Sequence, residues 1–158
     1  MNVLVYIFNI QKKLLNLDQY FMQIALQAAE EAAAADEIPV GAVIVCNNQI
    51  VGRAHNLTER LQDVSAHAEI LAIGAAAQAL GSKYLPTCTL YVSLEPCPMC
   101  AGALAWAQIG RIVYAGKDEK RGFTAFEPCL LHPRTKITSG ILETEATELL
   151  QNFFKKRR

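Results

Sequence analysis

Apolar positions change their spacing along the chain, and the changes mark out its elements. Residues 19–35 are strong helix formers carrying Phe21, Ile24, Leu26, Ala28 and Ala29, and Asp18 just before them is a side chain able to cap a helix N-terminus. A first helix is predicted there, ending near Asp36 and Glu37 ahead of Pro39. The stretch GAVIVCNNQIVGRAHN then gives two short Val/Ile-rich runs around Asn47-Asn48. Asparagine tolerates the positive φ of a two-residue turn, so the pattern predicts a β-hairpin. Residues 66–80 turn alanine-rich, and Gly81 is a suitable helix stop. TCTLYVSL (residues 87–94) is β-branched and aromatic in the manner of a strand, and it runs through Glu95-Pro96-Cys97-Pro98 into the helical composition of AGALAWAQI. RIVYAG (111–116) is another strand, a further short one is expected near 136–138, and Leu149, Leu150, Phe153 and Phe154 share a face of a final helix over 143–154.

Helices alternating with strands late in the chain call for crossovers between parallel neighbours. The expected fold is α/β, a three-layer α/β/α sandwich with a mixed central sheet of about five strands. A chain of 158 residues suits a single domain. Residues 1–15 are apolar at first, with Lys12-Lys13 behind the apolar run and no small-residue cleavage site, which does not suit a secretory signal. They are expected to be an appendage outside the fold, leaving 16–158 as the domain. Apolar runs fall well short of the roughly 20 residues a membrane-spanning helix needs, so no membrane association is expected.

Fifteen basic residues balance fifteen acidic ones, which excludes an overall basic field. The distribution is uneven: residues 1–110 hold five Lys/Arg against nine Asp/Glu, and residues 111–158 hold ten against six. A polyanionic partner should therefore meet the C-terminal part. The five cysteines do not form a disulfide framework, which favours a reducing, cytoplasmic setting. Cys46 and Cys88 lie in strand patterns and read as buried apolar residues, and Cys129 has no assigned role.

Candidate chemistry gathers in His67-Ala68-Glu69 and Pro96-Cys97-Pro98-Met99-Cys100. Two cysteines three apart at a helix start point to one side, where the helix dipole favours thiolates. That pair alone fits a metal site, a redox dithiol or two buried small side chains. His67, at the start of another predicted helix, adds a third donor. Structural zinc sites usually close with four protein ligands, whereas three leave a position for water and predict hydrolysis.

HAE followed by PCxxC resembles the zinc cytidine/deoxycytidylate deaminase family. Within that family, IPVGAVIV, Asn56 eleven residues before His67, SAHAEI, TLYVSLEPCPMCAGAL, IGRIVYAGKDEK and FFKKRR are similar to bacterial tRNA adenosine deaminases. The resemblance spans most of residues 37–158, while RGFTAFEPCLLHPRTK departs from it outside its Leu-His-Pro piece and lacks a Gly-Ser-rich loop. It implies a cytidine deaminase-like fold and deamination of wobble adenosine to inosine in a tRNA anticodon stem-loop. One Zn²⁺ per subunit would sit on His67, Cys97 and Cys100, with Glu69 as the catalytic proton shuttle. It further implies that Asn56 hydrogen-bonds the flipped nucleotide, that the backbone of Ala68 contacts the base edge, and that Val40 and Phe154 line the pocket.

Lys155, Lys156, Arg157 and Arg158 follow Phe153-Phe154, combining cations with aromatic surface as single-stranded nucleic-acid sites do. With the resemblance they become candidate RNA contacts, and Lys120, Arg121 and Arg134 are the next candidates. Residues 101–109 are apolar almost all round and suggest a homodimer beside the active site. Competing readings are a free-base deaminase acting on guanine or cytosine, a cytidine-type deaminase, and a non-catalytic zinc-binding interaction module. A thiol redox protein stands further behind.

Overall fold

The computed structural model describes residues 3–157. Five strands form one sheet: β1 (Gly41–Cys46), β2 (Gln49–His55), β3 (Cys88–Leu94), β4 (Arg111–Gly116) and β5 (Lys136–Ser139), in the spatial order β2-β1-β3-β4-β5. β1 is antiparallel to β2 and to β3, whereas β3, β4 and β5 run parallel. Asn47 and Asn48 both take positive φ, 51° and 60°, closing the β1–β2 hairpin as expected.

Alternation along the strands distributes side chains to two cores. Val43, Val45, Tyr91, Val113 and Ala115 pack under Phe21, Met22, Ala25 and Leu26 of α1 (Val3–Ala34) and Ala146 of α5 (Glu143–Lys155). On the other face, Ile44, Leu90, Val92 and Ile112 meet Ala68, Ala72 and Ala76 of α3 (Ala68–Leu80) and Ala101 and Leu104 of α4 (Pro98–Trp106). The result is the expected three-layer α/β/α sandwich around a mixed five-stranded sheet. Helix alanines let backbones come close. A Cβ on Gly41 would lie 2.4 Å from the Ala29 amide nitrogen and 2.8 Å from the Ala28 methyl, so α1 rests directly on the start of β1.

One expectation about the first helix is corrected. α1 does not begin behind an Asp18 cap; it is one helix of 32 residues, and Asp18 lies inside it, buried. An interior carboxylate needs partners. Arg111 of β4 supplies a two-pronged ion pair (2.8 and 2.7 Å), and the Tyr91 hydroxyl of β3 donates to Oδ1 at 2.9 Å. Burial and the neighbouring Asp18 carboxylate push the Tyr91 hydroxyl pKa up, keeping it protonated as a donor. Residues 3–16 continue α1 with exposed side chains, and residues 1 and 2 lie outside the described range. No helix among the described residues is long and apolar enough to cross a membrane.

Sequence patterning also missed α2 (Thr58–Leu61), a single helical turn between β2 and α3. Its cap comes from far upstream. The fully buried Glu37 accepts from the Thr58 hydroxyl (3.2 Å), Glu59 N–H (3.1 Å) and Arg60 N–H (2.8 Å). Burial alone would push this carboxyl up, but the Arg60, Glu59 and Thr58 donors outweigh it and hold Glu37 below the usual carboxylate range.

A group with a depressed folded pKa contributes stability above its unfolded pKa, near 4.5, and loses it as pH falls through the folded value. Glu37→Ala should therefore cost about 2 kcal/mol at pH 7, from two backbone donors left without their partner. Urea melts of both proteins should show this gap narrowing as pH drops below ~4.5. A gap that stays constant down to pH 3 contradicts the assignment.

Candidate metal centre and substrate cleft

The sheet carries the N-termini of α3 and α4 to the same end. His67 occupies the cap position of α3 and Cys97 that of α4, both in extended backbone, while Cys100 lies one turn into α4 and is fully buried. The His67 Nδ1 atom lies 3.4 Å from Cys100 Sγ and 3.7 Å from Cys97 Sγ. Metal–sulfur bonds near 2.3 Å and metal–nitrogen bonds near 2.05 Å at tetrahedral angles place the donors about 3.6 Å apart. The observed spacings bracket that value, and all three donor atoms lie within 4.8 Å of one another. Two sulfurs and an imidazole are a donor set that would suit zinc.

The electrostatics of these groups follow from their mutual contacts. The Cys100 thiol, then His67, lower the Cys97 pKa to about 4, so Cys97 is a thiolate. The adjacent Cys97 sulfur and burial raise the Cys100 pKa, and contact with Cys97 raises that of His67.

Glu69, in the first turn of α3, is 3% exposed, and burial pushes its carboxyl up to about 6. Its Oε2 is a buried polar atom with no hydrogen-bond partner among the described residues. A buried carboxylate oxygen left without a donor is costly in a purely structural role.

These groups open into a cleft of about 620 Å³ lined by Val40, Asn56, His67, Glu69, Cys97, Lys120, Arg121 and Phe154, with Ile38, Thr58, Leu94, Glu95, Asp118 and Leu150 completing its walls. Eight residues singled out from the sequence thus share one concavity. Asn56 is buried, and its Oδ1 accepts the Ala68 N–H at 2.9 Å, which leaves Nδ2 as the donor available to a ligand. Ala68 itself is fully buried behind that bond. Val40, 6% exposed, forms floor, whereas Phe154, 45% exposed, forms an aromatic wall from α5.

The tail is placed differently. Lys155 and Lys156 are exposed beyond the cleft lining, and Arg158 lies outside the described residues. Arg157 is engaged within the molecule, pairing with Asp36 at 2.8 Å and stacking 3.8 Å from the Phe153 ring centroid. Arg134 lines a separate hollow with Arg111 and Lys136, at the strand ends opposite the cleft. Cys88 is buried, Cys46 is half-buried against the same core, and Cys129 is exposed.

Sequence reasoning overlooked Glu95 and Asp118. An acidic residue between the apolar end of β3 and Pro96-Cys97 was the available signal for the first, and Glu95 is 2% exposed. Asp118, two residues past β4, turns its loop by accepting from Lys120 N–H (3.1 Å) and Arg121 N–H (3.0 Å).

Known proteins are similar to this chain in both sequence and fold. A tRNA-specific adenosine deaminase of Agrobacterium fabrum is 42% identical over 144 residues, covering 88% of this chain and 95% of the relative. A solved structure from work on A-to-I editing by tRNA:A34 deaminases at the wobble position of transfer RNA superposes with a TM-score of 0.76 at 42% identity, covering 83% of this chain and 99% of that one. The guanine deaminase of Nitrosomonas europaea superposes with a TM-score of 0.73 at 25% identity, covering 85% and 83%. Residues 15–116 match the profile of the cytidine and deoxycytidylate deaminase zinc-binding region, and with the His/Cys/Cys donor set at its centre the chain belongs to that family of zinc-binding deaminases.

Proposed function

We propose that this chain hydrolytically deaminates adenosine to inosine at the wobble position of a tRNA anticodon. The observation that carries this reading is one cleft lined by Glu69, two of the three donors, His67 and Cys97, and by Lys120, Arg121 and Phe154. Cations beside an exposed aromatic ring suit a flipped nucleotide and its phosphates, and a free base needs neither. The tRNA-specific relative supports the same substrate.

In this reading His67, Cys97 and Cys100 would hold one zinc per subunit. When bound, zinc supplies the nucleophile by bringing the pKa of a water to about 7. Glu69 Oε2, buried and without a hydrogen-bond partner among the described residues, would take a proton from the attacking water and deliver it to the exocyclic nitrogen. Oxygen bonds to the ring carbon, the C–N bond breaks, and ammonia leaves. Asn56 Nδ2 donates to the nucleotide, with the Ala68 backbone at the base edge held in place through the Asn56 side chain. Val40 forms the floor and Phe154 stacks on the nucleotide. Lys120 and Arg121 meet phosphates, with Lys155, Lys156 and Arg158 extending the cationic track and Arg157 contributing less because Asp36 already occupies it.

The domain proper is residues 16–158, acting in the cytoplasm, where reduced thiols suit five free cysteines. Its second copy docks on α4: Met99, Gly102, Ala103 and Trp106 share a helical face, and Trp106 is 84% exposed.

The zinc-loaded protein should convert wobble adenosine to inosine in an anticodon stem-loop and turn over guanine, cytosine and cytidine poorly. Faster turnover of a free base favours the guanine deaminase-like alternative. Glu69→Ala should keep about one zinc per chain by metal analysis while deamination falls by ~10²–10⁴. An unaffected rate in that variant contradicts enzymatic use of the site and favours a zinc-binding module.

Salt dependence tests the rim. Removing a cation that neutralises one phosphate flattens the slope of log affinity against log salt by about 0.7. Lys120→Gln with Arg121→Gln should flatten it by up to ~1.4, and more than Lys155→Gln with Lys156→Gln does. The reverse order moves the RNA track to the tail.

Trp106→Glu should convert a dimer to a monomer in sedimentation equilibrium, since it replaces the largest exposed apolar side chain of that face with a charge. A monomeric unsubstituted protein, or a variant that stays dimeric, rules α4 out as the interface.

A further inference from the structure

The loop following β4 carries Lys120 and Arg121, and its shape depends on a residue outside it. Glu95 ends the β3 segment just before the Pro96-Cys97 corner, and its backbone N–H donates to the Gly116 carbonyl at 2.8 Å. Its buried carboxylate then reaches into the loop. Oε2 accepts the Asp118 N–H at 3.1 Å, and Oε1 accepts the Thr124 N–H at 2.9 Å, so one side chain ties the entry of the loop to its exit. Between those points the chain folds tightly around the carboxylate. A Cβ on Gly122 would lie 2.2–2.5 Å from the Glu95 carboxyl atoms, a space only glycine can leave. The Gly122 N–H donates to the Asp118 carbonyl, and the Phe123 N–H to the Pro96 carbonyl, both at 2.9 Å. Phe123 is buried against Tyr114, with ring centroids 6.1 Å apart.

We infer that Glu95 is a positioning residue for RNA recognition: its carboxylate clasps residues 118–124 into the one conformation that presents Lys120 and Arg121 to the cleft. The inference rests on the proposed RNA role of those two cations. Two acceptor oxygens meet two backbone donors here, and an amide side chain has only one acceptor. Glu95→Gln therefore leaves either Asp118 or Thr124 N–H opposed by another donor. Gly122→Ala attacks the same contact from the loop side, by bulk rather than by hydrogen bonding.

The test measures deamination kinetics on an anticodon stem-loop, salt slopes of binding and zinc content for Glu95→Gln, Gly122→Ala, the Lys120→Gln/Arg121→Gln double variant and their combinations. Each single variant should retain zinc, raise KM about tenfold or more, and change kcat by less than about threefold. The salt slope should flatten as it does in the Lys120/Arg121 variant, and adding that variant to Glu95→Gln should flatten it little further. A fall in kcat at unchanged KM assigns Glu95 to the chemistry and overturns the inference, as does additive flattening of the slope. Zinc loss in Glu95→Gln with none in Gly122→Ala leaves the second variant to decide by the same KM and slope criteria. If the Lys120/Arg121 variant itself leaves the slope unchanged, the RNA role of the loop fails. If it flattens the slope while Glu95→Gln and Gly122→Ala do not, the clasp fails alone.

Discussion

Contact between one imidazole nitrogen and two sulfurs is the constraint on which the rest of the molecule depends. His67 lies 30 residues from Cys97 and 33 from Cys100 in the chain, at the start of a different helix. Their donors meet within 4 Å only because α3 and α4 lie on one face of the sheet and start at the same end of it. That arrangement requires β1 to run antiparallel to β3, and α4 to serve as the crossover to parallel β4. Alanines at the helix–sheet contacts set the close spacing, since larger side chains at Ala72 or Ala76 would lift α3 from the strands and carry His67 away from the sulfurs.

A second tie acts on the opposite face. Asp18 joins α1 to β3 through Tyr91 and to β4 through Arg111, which also donates to Thr138 of β5. One carboxylate thereby spans three strands. Burial makes the network costly to break at Asp18 or Arg111, because the remaining charge would be left without compensation.

Much of this was legible in the order of residues. Runs rich in Val, Ile and other strand-forming residues exposed the strands, Asn47-Asn48 the hairpin, and the His67, Cys97 and Cys100 spacing the donor set. What stayed hidden were groups whose partners are distant in sequence. Asp18 has the same side chain whether it caps a helix or accepts a buried ion pair, and Arg111 lies 93 residues downstream. The α2 turn has no local cap because Glu37 provides one from 21 to 23 residues away. Arg157 looked like part of a free basic tail, yet Asp36 claims it across 121 residues. Composition reports charge but not whether the charge is already paired within the fold.

That last pair has a mechanical meaning. Arg157 and Asp36 join the end of the last helix to the end of the first, closing the domain on itself beside the cleft wall formed by Phe154. The pair is solvent-exposed, with Asp36 90% accessible, so it holds with about 1 kcal/mol or less. Val40 and Asn56, which flank β1 and β2, are buried, and Asn56 is tied to the Ala68 N–H. The two sides of the cleft are therefore held unequally: Phe154 is 45% exposed at the end of a helix that Ala146 and Phe153 anchor to the core, so its ring can adjust at little cost, while burial fixes Val40 and Asn56.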